Sequence, residues 1–187
     1  MKELSLNILD IAMNSVKAKA TKIEIGLTET ETSFTMTIRD NGCGMKRDFL
    51  ATVTDPFSTT RTTRKVGMGI PFLKLAAEQT GGSFSIDSRH ESEFPENHGT
   101  ETTAVFDKTS IDFTPLGDII STIVTLIQGS PDIRWIFVHT TPKGSAELDT
   151  DELKAVLGDV PLDNTEVIMW VRDYLKEAYS DMEYGFR

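Results

Sequence analysis

The sequence predicts an α+β protein in two layers, and three observations carry that expectation. Apolar residues recur with helical spacing over 4–19 and 68–80. They alternate with polar residues over 22–27, 34–39, 83–87 and 101–106, and most of these alternating runs are joined by short turn-forming stretches. Hairpin-linked strands with helices between them suit one helical layer on one sheet better than repeated strand–helix–strand units. At 187 residues the chain can build one substantial core, or one core with an appendage.

The first helix carries the first chemical signal. At about 100° per residue, Asn7, Asp10, Asn14 and Lys17 fall within a wedge of about 80°. Ile8, Leu9, Ile11, Ala12, Met13 and Val16 cover most of the remaining circumference, so the helix is expected to be buried with its wedge facing something polar. A solvent-exposed stripe is the plainer alternative. A carboxylate, an amide and an ammonium spaced by four and three can position water, ligate a hard cation through oxygen and contact phosphate.

Two strands follow, over 22–27 and 34–39, and the second runs into Asp40-Asn41-Gly42-Cys43-Gly44-Met45. Read alone, this is a tight turn, since Asn-Gly and Gly supply positive φ cheaply. The functional reading is that the glycines let backbone approach a flat ligand while Asp40 accepts a hydrogen bond from an exocyclic amine. A short helix over 46–53 and a polar loop over 58–65 come next. No acid lies between Asp55 and Glu78, whereas Arg61, Arg64, Lys65 and Lys74 are basic. Within this positive island Gly67-Met68-Gly69-Ile70 opens the helix over 68–80, where free N–H groups and the helix dipole favour phosphate. Thr59, Thr60, Thr62 and Thr63 add hydroxyls. No Gly-x-x-x-x-Gly-Lys-Ser/Thr run occurs, which excludes a Walker-type site.

Gly81-Gly82 stops that helix, two strands follow over 83–87 and 101–106, and a seam is expected between 99 and 110. Beyond it the pattern reads helix (116–128), strand (134–138) and two helices (151–157 and 164–179). Asp149 or Thr150 is expected to cap the first of these two, and Asp163 the second. Trp135 and Trp170 are expected in the core of this part. Residues 1–108 hold 15 acids and 13 bases and 109–187 hold 14 acids and 6 bases, so most of the net charge of −10 sits in the second part. That balance opposes nucleic acid as a partner. The run 119–127 is broken by Ser and Thr well short of a bilayer span, which argues against a membrane protein. One cysteine, Cys43, and a polar start make the cytoplasm the expected compartment.

Taken in order, these motifs resemble the GHKL superfamily of gyrase, heat-shock chaperone, histidine-kinase and MutL-type ATP-binding domains, over roughly residues 3–107. The resemblance implies a Bergerat fold: a two-layer α/β sandwich of the histidine kinase-like ATPase type, here 1–108, with a smaller acidic α/β extension, 109–187. The extension would dock a partner or pack on the first unit. It implies ATP and Mg2+ as ligands. In Asp10-Ile-Ala-Met-Asn14-Ser-Val-Lys17, Asn14 matches the magnesium-holding amide and Lys17 a phosphate contact. Asp40 matches the carboxylate that binds the adenine amine, with Gly42, Gly44 and Met45 beside it. Asp55-Pro-Phe57-Ser-Thr59-Thr60-Arg61 looks like the entry to the ATP lid, Gly67-Met68-Gly69-Ile70 like its closing motif, and Thr100 like the threonine that supports the adenine site.

Two departures matter. Asp10 stands where the MutL- and gyrase-like branches place a water-activating Glu, and its carboxylate reaches about 1.5 Å less far. The histidine kinases' phospho-acceptor helix has no counterpart, and His90, His98 and His139 read as ordinary surface residues. Cys43 is expected to pack as a small apolar residue. Three functions follow from the resemblance: a stand-alone kinase acting on a separate protein, a slow ATPase using Asp10, or a nucleotide-gated binding module. Self-association into a homodimer is the remaining partner expectation.

Overall fold

The computed structural model describes residues 3–55 and 68–185. Helix α1 (Leu4–Lys17) leads into strands β1 (Lys22–Glu29) and β2 (Ser33–Asp40), the short helix α2 (Arg47–Leu50), helix α3 (Gly69–Gln79), and strands β3 (Ser83–Arg89) and β4 (Gly99–Asp107). Then come α4 (Ile119–Gly129), β5 (Arg134–Thr141), β6 (Gly144–Asp149), α5 (Thr150–Leu157) and α6 (Thr165–Asp181). The six strands form one sheet in the order β3-β4-β2-β1-β5-β6, antiparallel except where β5 lies parallel to β1.

The alternation read in the sequence is what lays the sheet on its helices. Ile23, Ile25 and Leu27 of β1, Phe34, Met36 and Ile38 of β2, Thr102, Ala104 and Phe106 of β4, and Trp135 and Phe137 of β5 are all buried. They share one face with α1, α3, α4 and α6, in a single continuous core. The other face shows residues such as Thr37, Arg39, Glu101 and Thr103, with Arg39 Nε donating to Glu101 Oε2 at 2.6 Å.

Residues 109–187, expected as an extension, supply two strands of this same sheet. Their start also closes the beginning of α1: the Leu4 and Ser5 N–H groups, which no helical carbonyl can satisfy, donate to the Pro115 and Leu116 carbonyls at 2.9 and 2.8 Å. The structure corrects several local expectations. Residues 144–149 form β6, unforeseen, joined to β5 through Pro142 and Lys143. Asp149 caps α5 as expected, but α6 is capped by Asn164, which accepts from Glu166 N–H, and not by Asp163. Trp135 is buried, whereas Trp170 is 51% exposed. On α1, Leu6 and Met13 are exposed, so the helix is buried on one side only. No helix among the described residues is long and apolar enough to cross a membrane.

His139 is fully buried, contrary to the surface role read from sequence. Its two ring nitrogens are both engaged, and the carboxylate of Glu29, which can only accept, assigns a proton to Nε2. Nε2–H donates to Glu29 Oε1 (3.1 Å), and Nδ1 shares a hydrogen bond with the Tyr179 hydroxyl (2.9 Å). Glu29 also accepts from Tyr184 (2.5 Å) and Lys108 (2.6 Å). Burial pushes the Glu29 carboxyl up, but the bonds from His139, Lys108 and Tyr184 and the charge of Lys108 outweigh it and hold the pKa down at about 2. This hub ties the end of β1 to the 109–187 segment.

Candidate nucleotide site

At the end of the sheet away from Glu29, residues at the ends of three neighbouring strands line up. Asp40 of β2 pairs with Thr100 of β4, which pairs with Ser88 of β3. Their alternation places all three side chains on the helical side. The Thr100 and Ser88 hydroxyls lie 2.8 Å apart. Asp40 is fixed through both oxygens: Ser15 Oγ of α1 donates to Oδ2 at 2.6 Å and Gly42 N–H to Oδ1 at 2.9 Å. A carboxylate held this way keeps its remaining lone pairs aimed in one direction.

The turn after β2 is held by close contacts with neighbouring backbone. Gly42 is required because a Cβ there would sit 2.8 Å from Ala18 Cβ and Ala18 O. Gly44, at φ +68°, would drive one to 2.0 Å from Arg89 O. Both glycines therefore serve close approach of backbone to backbone. Met45 N–H donates to Ser88 Oγ (2.8 Å) and Glu91 N–H to the Cys43 carbonyl (2.9 Å). His98 Nδ1 lies 2.6 Å from the Gly42 carbonyl, which can only accept, so that nitrogen carries the proton. The half-buried Cys43 sits inside this turn, its Sγ 3.5 Å from Gly44 O.

The polar wedge of α1 opens beside this turn. Asn7 is buried, Asn14 is half-buried, and Asp10 and Lys17 are exposed. Among the described residues, the side chains of Asp10, Asn14 and Lys17 make no hydrogen bond or ion pair. The start of α3 faces them: a Cβ on Gly69 would lie 3.0 Å from Asp10 Cβ, and among the described residues no side chain caps that helix. Met68 precedes the helix and is exposed, while Ile70 is buried on its inner face. About two turns of α1 therefore present a carboxylate, an amide and an ammonium that have no partner among the described residues, next to the N-terminus of α3. Amide and carboxylate oxygens suit a hard divalent cation, and ammonium and N–H groups suit phosphate. Phe57, Thr59, Thr60, Arg61 and Gly67 lie outside the described residues.

The structure thus brings Asp10, Asn14, Lys17, Asp40, Gly42, Gly44, Met45, Gly69 and Thr100 to one end of the sheet under α1 and α3. Sequence reasoning missed Ser15, Ser88 and His98, which hold this group together. Ser15 had a signal, since it adjoins Asn14 on a helix side otherwise apolar. Ser88 and His98 had none, because their partners come from other strands.

Residues 1–110 match the model of the histidine kinase-, DNA gyrase B- and HSP90-like ATPases. The chain belongs to that family, and its α+β fold is that of the GHKL domains. It is 29% identical over 94 residues to the C4-dicarboxylate transport sensor protein DctB of Pseudomonas aeruginosa, across 49% of this chain and 15% of that protein, so it spans a small part of that relative. Two solved structures share the architecture. The N-terminal domain of a DNA repair protein is 17% identical with a TM-score of 0.57, covering 85% of this chain and 58% of that one. The Aquifex aeolicus MutL ATPase domain complexed with ADP is 13% identical with a TM-score of 0.54, covering 92% and 88%.

Proposed function

We propose that this chain binds ATP with magnesium at the α1–α3 end of its sheet and acts as a kinase on a separate protein. The observation that carries the reading is the division of labour along α1. Ser15 steadies Asp40 from the buried side, while Asp10, Asn14 and Lys17, each one turn from the next, have no partner among the described residues on the open side. Asp40 would accept from the adenine amine, with Thr100 beside it and Gly42, Gly44 and Met45 forming the wall. Asn14 would supply its amide oxygen to the metal, and Lys17 would meet phosphate together with the N–H groups at the start of α3. Phe57, Thr59, Thr60, Arg61 and Gly67 are proposed as further nucleotide contacts. When bound, magnesium neutralises phosphate charge and orients the transferring group. The protein's share is then placement rather than covalent chemistry. The cytoplasm, where ATP is abundant, is the proposed compartment.

Calorimetry tests binding first. Wild type should take up Mg-ATP, Asn14→Ala should lose most of the magnesium-dependent part, and Asp40→Asn should weaken ATP. Absence of heat with wild type would end the reading. Labelled ATP incubated with host lysate should then mark a discrete acceptor.

Slow hydrolysis is the second reading, favoured by the position of Asp10. Its Oδ2 would lie 3.4 Å from a Cβ built on Gly69, which puts the carboxylate at the mouth of α3. There it could take a proton from an attacking water. Phosphate release that survives Asp10→Ala would remove this role.

A further inference from the structure

Helix α6 buries Val167, Ile168, Val171, Leu175 and Tyr179. At about 100° per residue, Glu166, Trp170, Asp173, Tyr174, Glu177 and Asp181 fall within an arc of about 100° on another side. The helix's two bases, Arg172 and Lys176, lie outside that arc. Trp170 and Tyr174 are 51% and 39% exposed, and their rings stack at 5.2 Å with an interplanar angle of 12°. The Tyr174 hydroxyl donates to the Glu147 carbonyl of β6 at 3.1 Å, so the stacked pair is a fixed platform. Beside it opens a cleft of about 340 Å³ walled by Tyr174, Ser145, Glu177 and Asp181 over Ala178 and Met182. Lys143 at its rim is already paired with Glu183.

Exposed stacked aromatics are costly surface on a free protein and are typical anchors of protein interfaces. The charge around them selects the occupant. Ring faces are negative and attract cations, and arginine stacks on them best. Among the described residues Glu166, Glu177 and Asp181 have no ion pair, and the whole 109–187 segment carries 14 acids against 6 bases. A second copy docking by the same face would oppose like charges, and anionic lipid or nucleic acid would be repelled.

We propose that the outer face of α6 docks a protein segment bearing arginine or lysine, its cations lying on the Trp170–Tyr174 platform and reaching Glu177 and Asp181 in the adjoining cleft. This site is separate from the proposed nucleotide site and stands without it.

The full chain carrying 5-fluorotryptophan gives two fluorine resonances, and Trp170→Phe assigns them. The probes are a helix-forming peptide with arginines on one face and the same peptide with neutral citrulline at those positions. The arginine peptide should shift the Trp170 resonance saturably and leave Trp135 in place, whereas the citrulline peptide should not. Glu177→Gln with Asp181→Asn should weaken the interaction about fivefold, and Tyr174→Ala by a similar factor, with the Trp135 resonance reporting an intact fold. Equal shifts from both peptides, or equal affinity in wild type and variants, would overturn the proposal. A Trp170 shift that follows protein concentration without peptide would also overturn it, by identifying a second copy as the occupant.

Discussion

Replacing Glu29 with Gln is the sharpest probe of the buried hub. The unfolded carboxyl titrates near 4.5 and the folded one near 2, a displacement worth about 3 kcal/mol of stability. Only 9% of the side chain is accessible, so solvent screens little of this. Because the folded value is depressed, the stabilisation is complete above the unfolded pKa and is lost as pH falls through 4.5 towards 2. Urea unfolding at pH 7 should find Glu29→Gln less stable by about 2–3 kcal/mol, since His139, Tyr184 and Lys108 lose their charged acceptor. Roughly two thirds of that difference should be gone by pH 3. The other carboxylates titrate in both proteins and cancel in the comparison. A difference below about 0.5 kcal/mol at pH 7, or one that does not shrink in acid, would refute the account of the hub.

Gly44→Ala should cost about 2–4 kcal/mol in thermal or urea unfolding, because the new methyl meets Arg89 O at a backbone angle that L-residues avoid; a neutral result would mean that the turn can move. Asp149→Ala removes both the α5 cap and the two bonds from Arg134, at 3.1 and 2.6 Å. It should lower stability by about 1–2 kcal/mol in urea. Ser15→Ala leaves Asp40 with one fixed oxygen, so calorimetry should show ATP affinity falling about threefold to tenfold with the melting temperature little changed. Unaltered affinity would make Ser15 a packing residue.

Much of this was legible in the sequence, for reasons that differ by element. Strands β1, β2 and β4 each bury one face, so strict alternation announced them, and helices α1 and α3 were marked by apolar spacing and by Gly81-Gly82. Strand β6 went unread because Gly-Ser-Ala-Glu-Leu-Asp offers only Ala146 and Leu148 to the core and ends in a helix cap. His139 looked superficial beside two threonines. Its burial depends on Glu29, 110 residues earlier, and on Tyr179 and Tyr184 from the chain's end. Trp170, expected in the core, lies outside it because its helical phase sets it away from Val171 and Leu175. At the proposed nucleotide site, motif order named Asp10, Asn14, Asp40 and Thr100. The hydrogen bonds of Ser15, Ser88 and His98 arise only once separate strands meet.

The pairing of β5 with β1 also decides how partner contacts should be tested. A chain cut after residue 108 would leave β1 as an edge strand, strip the cover from Ile23, Ile25 and Leu27, and take from Glu29 its bonds to His139 and Tyr184. It would also bare Leu4 and Ile8 where α4 packs on α1, and free the Leu4 and Ser5 N–H groups from the Pro115 and Leu116 carbonyls. Even at about 1 kcal/mol for each partly exposed side chain, the loss is about 5 kcal/mol, comparable with the whole stability of a small domain. The truncated chain should therefore elute as aggregates and melt without a cooperative transition. A monomeric 1–108 with a sharp melt would refute this argument. Until then, a lost partner in the truncated chain reports a lost fold, and only surface changes such as those on α6 separate docking from folding.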